Sequence, residues 1–324
     1  MFVGNKITFS SIAREIGVTP SVVSRVMRNT STTITIGKET KRRILDLAWS
    51  RGFQLNRNVG LIAPDKKDIG LIYHPAATGV LERCAELGFG IFNALYGEDG
   101  ASTAIPEFLL KRKVGGVISF DLLPEKMLEY LDDEMIPYVV MNPRKYITDE
   151  DSILFSDYET MKELLSHLKG KGYRRYVYVS YDDKTHYSKM VKQSLEDFLK
   201  TEPFEGQILL TETKNEPKTI ATLEGLVESS SSETVFITPT RLFTIKILEF
   251  FAMQGKHAPK DAGIVGSNLI ADHYIPKLTT VNYPFYEMGM LAVDMLGEKW
   301  EKRIFKMPNR CICGRISINE STQA

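Results

Sequence analysis

Apolar residues at the head of the chain recur with the period of a helix. Phe9, Ile12, Ala13 and Ile16 fall at i, i+3, i+4 and i+7, one helical face. Gly17 follows, where a helix commonly ends in a left-handed residue. Past Val18, the Thr19 hydroxyl is placed to cap a second helix, and Pro20 takes its first position, where a missing N–H costs nothing. That helix runs to about Arg28, turning Val22, Val23, Val26 and Met27 inward and Ser21, Ser24, Arg25 and Arg28 outward. A third, KETKRRILDLAWSRGF, adds Ile44, Leu45, Ala48 and Trp49 to complete a three-helix core, with Lys41, Arg42 and Arg43 on its wet side.

From Ile69 onward the pattern changes. IGLIYH, FGIFNALY, VGGVISF, IPYVVM, RRYVYVS, GQILL, TVFITP and AGIVGS read as buried strands, and EKMLEYLDDE, YETMKELLSHLKGKG, SKMVKQSLEDFLK and LFTIKILEFFAMQG between them read as amphipathic helices. Strand and helix in alternation predict doubly wound α/β folding with parallel sheets, whose ligands sit beyond the strand C-termini. The fold class expected is an all-α three-helix domain followed by a two-lobed α/β core of two such sheets, with a cleft between the lobes.

Charge sharpens the division. The 324 residues carry 41 basic and 41 acidic side chains, yet residues 1–68 hold 12 Lys or Arg against 5 Asp or Glu. The head is thus net +7 and the remaining body net −7, the asymmetry of a polyanion-binding head on an acidic body. Three cysteines, Cys84, Cys311 and Cys313, make no even disulfide framework and point to a reducing cytoplasm. No leader sequence and no run of 18 apolar residues is present, so no membrane partner is expected. Cys311 and Cys313, two apart in an alternating strand, read as small packed side chains rather than a metal site, and the five histidines are scattered. With no G-x-S-x-G elbow, phosphate-binding glycine loop or HExxH, neither catalytic residues, metal nor cofactor is expected.

The order T-F-x-x-I-A-x-x-x-G-V-T-P-S-V-V-S-R-V, then K-x-T-x-x-x-I and R-G-F, resembles the helix-turn-helix domain of the lactose repressor / galactose repressor (LacI/GalR) family of bacterial transcriptional regulators. HLKGKGYRRYVYVS, KHAPKDAGIVGSN, KLTTVNYPFYEMGMLAVDML and the closing GRIS extend the resemblance over nearly the whole chain. It implies a periplasmic-binding-protein-like core and a dimeric, cytoplasmic repressor of a carbohydrate-related operon, bound to a pseudo-palindromic double-stranded DNA operator. The domains it implies are a head at 1–53, a hinge at 54–68 and a core at 69–324, with an N-subdomain of about 69–156 and 284–313 and a C-subdomain of about 157–283 and 314–324. Crossings between lobes fall near Ser156 to Tyr158, Val281 to Pro284 and Gly314, and AVDMLGEKW resembles part of the dimer surface.

Position by position, the family pattern puts Pro20, Ser21 and Arg25 at base edges and the hydroxyls of Thr8, Ser10, Thr19 and Ser24 at phosphates, contacts that set register rather than sequence. Arg28 stands where asparagine is usual. In the hinge stretch FQLNRNVGLIAPDKKD, Asn56 and Arg57 are retained and Ile62 is the expected minor-groove wedge. Gly60 and Pro64 predict a short hinge helix, poorly formed off DNA, or a flexible tether.

For a small-molecule effector, a sugar or sugar derivative by the resemblance, the cleft candidates are His74, Asp121, Asn142, Arg144, Asp157, Tyr181, Arg241 and Asn268, polar groups at strand ends. Each has a plainer role open to it: His74 and Asp121 as helix caps, Arg144 as a loop charge, Asp157 as a brace of the crossing. Pro239 and Thr240 replace the usual asparagine and aspartate, Asn268 replaces an aspartate, and the usual cleft arginine has only Val191 or Ser194 near it. IYHPAATGVLERCAELGFGIF is also about nine residues shorter than the family pattern. These departures keep a second regulator open, one gated by a partner protein or constitutive. An enzyme on the same scaffold and a transport solute-binding protein are the rivals from other classes.

Overall fold

The computed structural model describes residues 7–29, 36–53, 56–64, 70–96, 105–145, 150–181, 185–211, 216–267 and 274–323, the side chains of 70–72 aside. Three helices open the chain, α1 (Phe9–Ile16), α2 (Pro20–Arg28) and α3 (Lys38–Ser50). Their inward faces meet in one cluster of Ile12, Ala13, Val23, Val26, Met27, Ile44, Leu45 and Ala48.

Then follow β1 (Val59–Pro64), α4 (Gly70–Leu87), β2 (Ile91–Tyr96), α5 (Glu107–Leu110), β3 (Gly116–Phe120), α6 (Glu125–Asp133), β4 (Tyr138–Met141) and β5 (Ser152–Phe155). After these come α7 (Asp157–Gly170), β6 (Arg175–Tyr181), α8 (His186–Thr201), β7 (Glu205–Thr211), α9 (Pro217–Glu228), β8 (Thr234–Ile237), α10 (Arg241–Met253), β9 (Gly263–Gly266) and β10 (Thr279–Asn282). The chain returns through α11 (Phe285–Lys302) and β11 (Arg310–Ile312), and ends in β12 (Arg315–Ser317) and a short 3-10 turn. One sheet has the order β11-β5-β4-β3-β1-β2 and the other β12-β10-β9-β8-β6-β7. The chain divides into two compact units, residues 1–154 with 285–310 and residues 155–284 with 311–324. The head therefore belongs to the same unit as the first sheet.

Two expectations are corrected here. IGLIYH does not form the first strand, because Gly70 to His74 open α4, where Ala76, Ala77, Val80 and Cys84 bury one face with helical spacing. The strand is the preceding VGLIAP, inside the stretch expected to be a hinge. It pairs in parallel with β2 and β3, and all six of its residues are buried. A strand covered on both faces needs a continuous apolar run rather than alternation, which Val59 to Ala63 supply. Gly60 suits this strand because a Cβ there would stand 2.8 Å from the Phe108 ring. Pro64 closes it, where a missing donor is tolerated.

In the second unit, β6 alternates cleanly: Val177 and Val179 enter a core with Phe236, Phe243 and Ile264, while Tyr176 and Tyr178 enter another with Leu164, Leu168 and Leu195. Both faces of this sheet are thus sealed by helices. Among the described residues no helix is long and apolar enough to cross a membrane.

Candidate nucleic-acid interface

Local chemistry fixes both ends of α1. Thr8 accepts a hydrogen bond from the Ser11 backbone N–H at 3.2 Å, and Ser11 Oγ accepts from the Thr8 N–H at 2.9 Å, a reciprocal cap. Gly17 closes the helix at φ 83°, a left-handed geometry that glycine adopts without strain. The Thr19 hydroxyl, expected to cap α2, instead pairs with Ser21 Oγ at 2.8 Å, and the Thr19 carbonyl accepts from Val22 N–H. The two hydroxyls thereby stand together at the exposed start of α2.

Thr8, Ser10, Thr19, Pro20, Ser21 and Arg28 are exposed and Ser24 and Arg25 partly so, one outward surface made by the ends and outer faces of α1 and α2. Arg25 makes no ion pair among the described residues, which leaves its fork of N–H donors available. Arg28 is occupied differently, with its guanidinium 6.0 Å above the Phe9 ring. Such a helix, with hydroxyls at its start and a free arginine one turn on, has the form that enters a major groove.

The remaining hinge residues separate. Ile62, expected as a wedge, is fully buried in β1 and so unable to reach a groove. Asn56 donates from Nδ2 to the Arg112 carbonyl at 3.2 Å and accepts from Asn58 N–H at 3.1 Å, so its polar groups serve the connection to the first sheet. Arg57 is exposed.

In the first unit, Asp121 and Asn142 sit at the C-terminal ends of adjacent β3 and β4, both left-handed (φ 70° and 47°). Asp121 Oδ1 accepts from Leu122 N–H at 2.8 Å and Arg144 N–H at 3.0 Å, and the Arg144 guanidinium lies 3.6 Å from Oδ2. These three candidates converge. His74 is exposed on α4 beside Tyr73, whose ring meets Phe120 edge-on at 5.9 Å.

In the second unit, Tyr181 ends β6 against the Phe243 ring, and exposed Arg241 opens the helix that carries Phe243. Asp157, at the start of α7, is 5% exposed and takes a hydrogen bond from the Tyr283 hydroxyl. Burial pushes its carboxyl up to about 7, against the lowering pull of that bond. Tyr283 lies against Phe155 at 4.7 Å with the rings tilted by 46°, and meets Tyr187 edge-on at 5.9 Å. Sequence reasoning missed both tyrosines, although Tyr283 lies in the quoted stretch KLTTVNYPFYEMGMLAVDML. Asn268 lies outside the described residues. Among those residues no group of three or more His, Cys, Asp or Glu is placed to hold a metal ion.

Residues 165–322 match the profile of the periplasmic binding protein-like domain. The HTH-type transcriptional regulator DegA of Bacillus subtilis is 25% identical over 314 residues, 88% of each chain. Catabolite control protein A of Staphylococcus xylosus is 22% identical over 336 residues, covering 98% of this chain and 99% of its own. The likeness thus runs through head, body and return strands alike. The relatives that this chain resembles over nearly its whole length are regulators of the lactose repressor family. Like those relatives, it is a transcriptional regulator and not an enzyme. The fold agrees: the lac repressor dimer bound to operator and the anti-inducer ONPF superposes with TM-score 0.66 at 15% identity, over 99% of this chain and all of that one. The CelR–cellobiose complex gives 0.66 at 19%, over 98% and 100%.

Proposed function

We propose that this chain is a member of the lactose repressor family that binds a pseudo-palindromic operator as a homodimer, one α2 helix per half-site, and represses a carbohydrate-related operon. The observation that carries the reading is the outward surface of α1 and α2, where Thr8, Ser10, Thr19 and Ser24 face out as phosphate ligands and Arg25, without an ion pair among the described residues, offers its guanidinium to a guanine edge. Arg57 adds a cation at the end of the connection. Likeness to the lac repressor dimer and to the CelR–cellobiose complex supports a dimer and a small-molecule effector, with His74, Asp121, Asn142, Arg144, Asp157, Tyr181, Arg241 and Asn268 as its candidate ligands.

A second reading draws on the first-unit candidates. Asp121 already spends its carboxylate on two backbone N–H groups and on Arg144, which leaves little of the directed charge that clamps sugar hydroxyls. That favours a regulator gated by a partner protein, or by nothing, over one with an ordinary sugar effector. Selection of bound sequences from a random duplex pool at fixed salt tests the DNA reading, since affinities for DNA depend steeply on salt. Enrichment of a two-fold symmetric sequence supports it, and equal binding to all duplexes overturns it. Titration of the recovered operator complex with sugars then separates the two gating modes.

A further inference from the structure

The head is built onto the first sheet rather than hung from it. Residues 56–58, which lead into β1, are not helical and are bonded to the first sheet and its flanks: Val59 N–H donates to the Gly90 carbonyl at 2.8 Å, Gly115 N–H to the Asn58 carbonyl at 2.8 Å, and Asn58 Nδ2 to the Lys113 carbonyl at 2.8 Å. The fit is close enough that a Cβ on Gly115 would stand 2.4 Å from the Asn56 carbonyl oxygen. From the head side, the Asn29 amide at the end of α2 donates to the Leu110 carbonyl at 2.8 Å. Trp49 Nε1 donates to the Arg303 carbonyl at 3.1 Å, and Arg303 Nη1 returns a bond to the Ser50 carbonyl at 2.9 Å. Met135, from the loop after α6, packs into the head's own apolar cluster.

At the middle of this seam sits Glu134, 5% exposed. Its carboxylate is paired with Lys41 of α3 through one oxygen and Arg112 through the other, and its carbonyl accepts from Arg112 Nη2 at 3.0 Å. A carboxylate taken out of water persists as an ion only with such partners, and losing one leaves an uncompensated charge. The space remaining in the seam is about 60 Å³. Pockets for small molecules run to roughly 300–1,000 Å³. The seam is therefore a packed joint and not a second effector site.

We propose that Glu134 clasps the DNA-reading head to the first lobe through Lys41 and Arg112, so that the lobe surface, and not a tether or a hinge helix on the operator, sets where α2 stands. This rests on the operator-binding reading above. Two consequences follow for DNA. The permitted half-site separation is narrow, and the central base pairs go unread because Ile62 is locked inside β1.

The test uses the full-length protein and two variants, Lys41→Met, which leaves the Arg112–Glu134 pair in the lobe, and Glu134→Gln, which keeps the shape of the side chain. Binding is measured on the selected operator with its half-sites moved apart one base pair at a time. Cleavage by trypsin after exposed Arg57 is followed without DNA. The expected result is a steep loss of binding per added base pair for the intact protein, a flattened profile in both variants, and faster release of the head from both. A flat profile in the intact protein, or profiles and release rates that the variants leave unchanged, overturns the clasp. Should the intact protein bind no operator, the DNA reading fails and the release rates alone decide the clasp: faster in the variants upholds it, equal rates overturn it.

Discussion

Gly79 of α4 lies so close to the backbone of Tyr286 in α11 that a Cβ on it would stand 2.0 Å from the Tyr286 carbonyl oxygen. The approach is mutual, since a Cβ on Gly289 would stand 2.0 Å from the Ala76 carbonyl oxygen. Both obstacles are backbone, which cannot swing aside as a side-chain tip can. Alanine in place of either glycine forces the helices apart, and overpacking of this kind costs about 1–3 kcal/mol. Gly297, farther along α11, meets nothing within 4 Å, so Gly297→Ala gains up to about 1 kcal/mol of helix propensity instead. Urea midpoints for the three variants check this: loss for Gly79→Ala and Gly289→Ala with no loss for Gly297→Ala is expected, and a neutral Gly79→Ala would refute the close contact.

Asp157 makes stability depend on pH in a direction opposite to most carboxylates. Its folded value is raised to about 7 by burial, whereas an unfolded aspartate titrates near about 3.9. Between these limits the folded state binds the extra proton, so stability is fullest below about pH 4, falls as pH rises through 7, and then levels off. The Tyr283 hydroxyl hydrogen-bonded to the carboxyl recovers only part of the burial cost. Asp157→Asn, which mimics the protonated form, is expected to remove the slope and to be the more stable protein above pH 7 by a few kcal/mol. Denaturation midpoints of the two proteins across that range decide it; parallel curves would mean that Asp157 titrates normally.

How much of this was legible depends on whether the signal is local. The turn between α1 and α2 was readable because Gly17 and Pro20 act through their own backbones. The centre of the second sheet was readable because β6, β8 and β9 are buried, largely apolar runs. By contrast, Gly60-Leu61-Ile62 and Gly70-Leu71-Ile72 are the same tripeptide, and only packing of the first between β2 and β3 decides which is strand. β5, four residues long, and β11, three, are too short to announce themselves. Asp157 with Tyr283, and Lys41 with Glu134, join residues far apart in sequence, and Glu134 sits in a run of acids that reads as a wet helix end. Such pairings carry no periodicity and appear only once the chain is folded.

On the DNA-facing surface, Arg25 and Arg28 are predicted to differ. Arg25→Ala removes a free guanidinium and is expected to cost about 1–3 kcal/mol on the preferred operator and to relax one base pair in each half-site. Arg28 is engaged over Phe9, so Arg28→Ala should weaken all duplexes alike. Ser10→Ala and Ser24→Ala should likewise lower affinity without altering preference, as phosphate contacts do. Sequence selection with each variant at one salt concentration distinguishes them. An unchanged motif for Arg25→Ala would move base reading to other residues of α2.

The buried ion pair of Lys299 and Asp151 offers a test of how the first unit supports the head. Lys299 is fully buried in α11, bonded to Asp151 and to the Phe305 carbonyl at 2.7 Å, and burial lowers its pKa against the raising effect of the aspartate. Asp151 Oδ1 also accepts from Met307 N–H at 2.9 Å, so the pair anchors the turn that follows α11. Phe305 in that turn meets Trp49 of the head edge-on, and Arg303 there bonds Ser50. Lys299→Met leaves Asp151 buried without its cation, which costs about 3–5 kcal/mol, while Lys299→Met with Asp151→Asn should recover much of that. If the turn transmits the damage, trypsin also frees the head faster in the single variant than in the double one. Equal urea midpoints for wild type and Lys299→Met would show that the pair contributes nothing net, and the anchoring argument would fall with it.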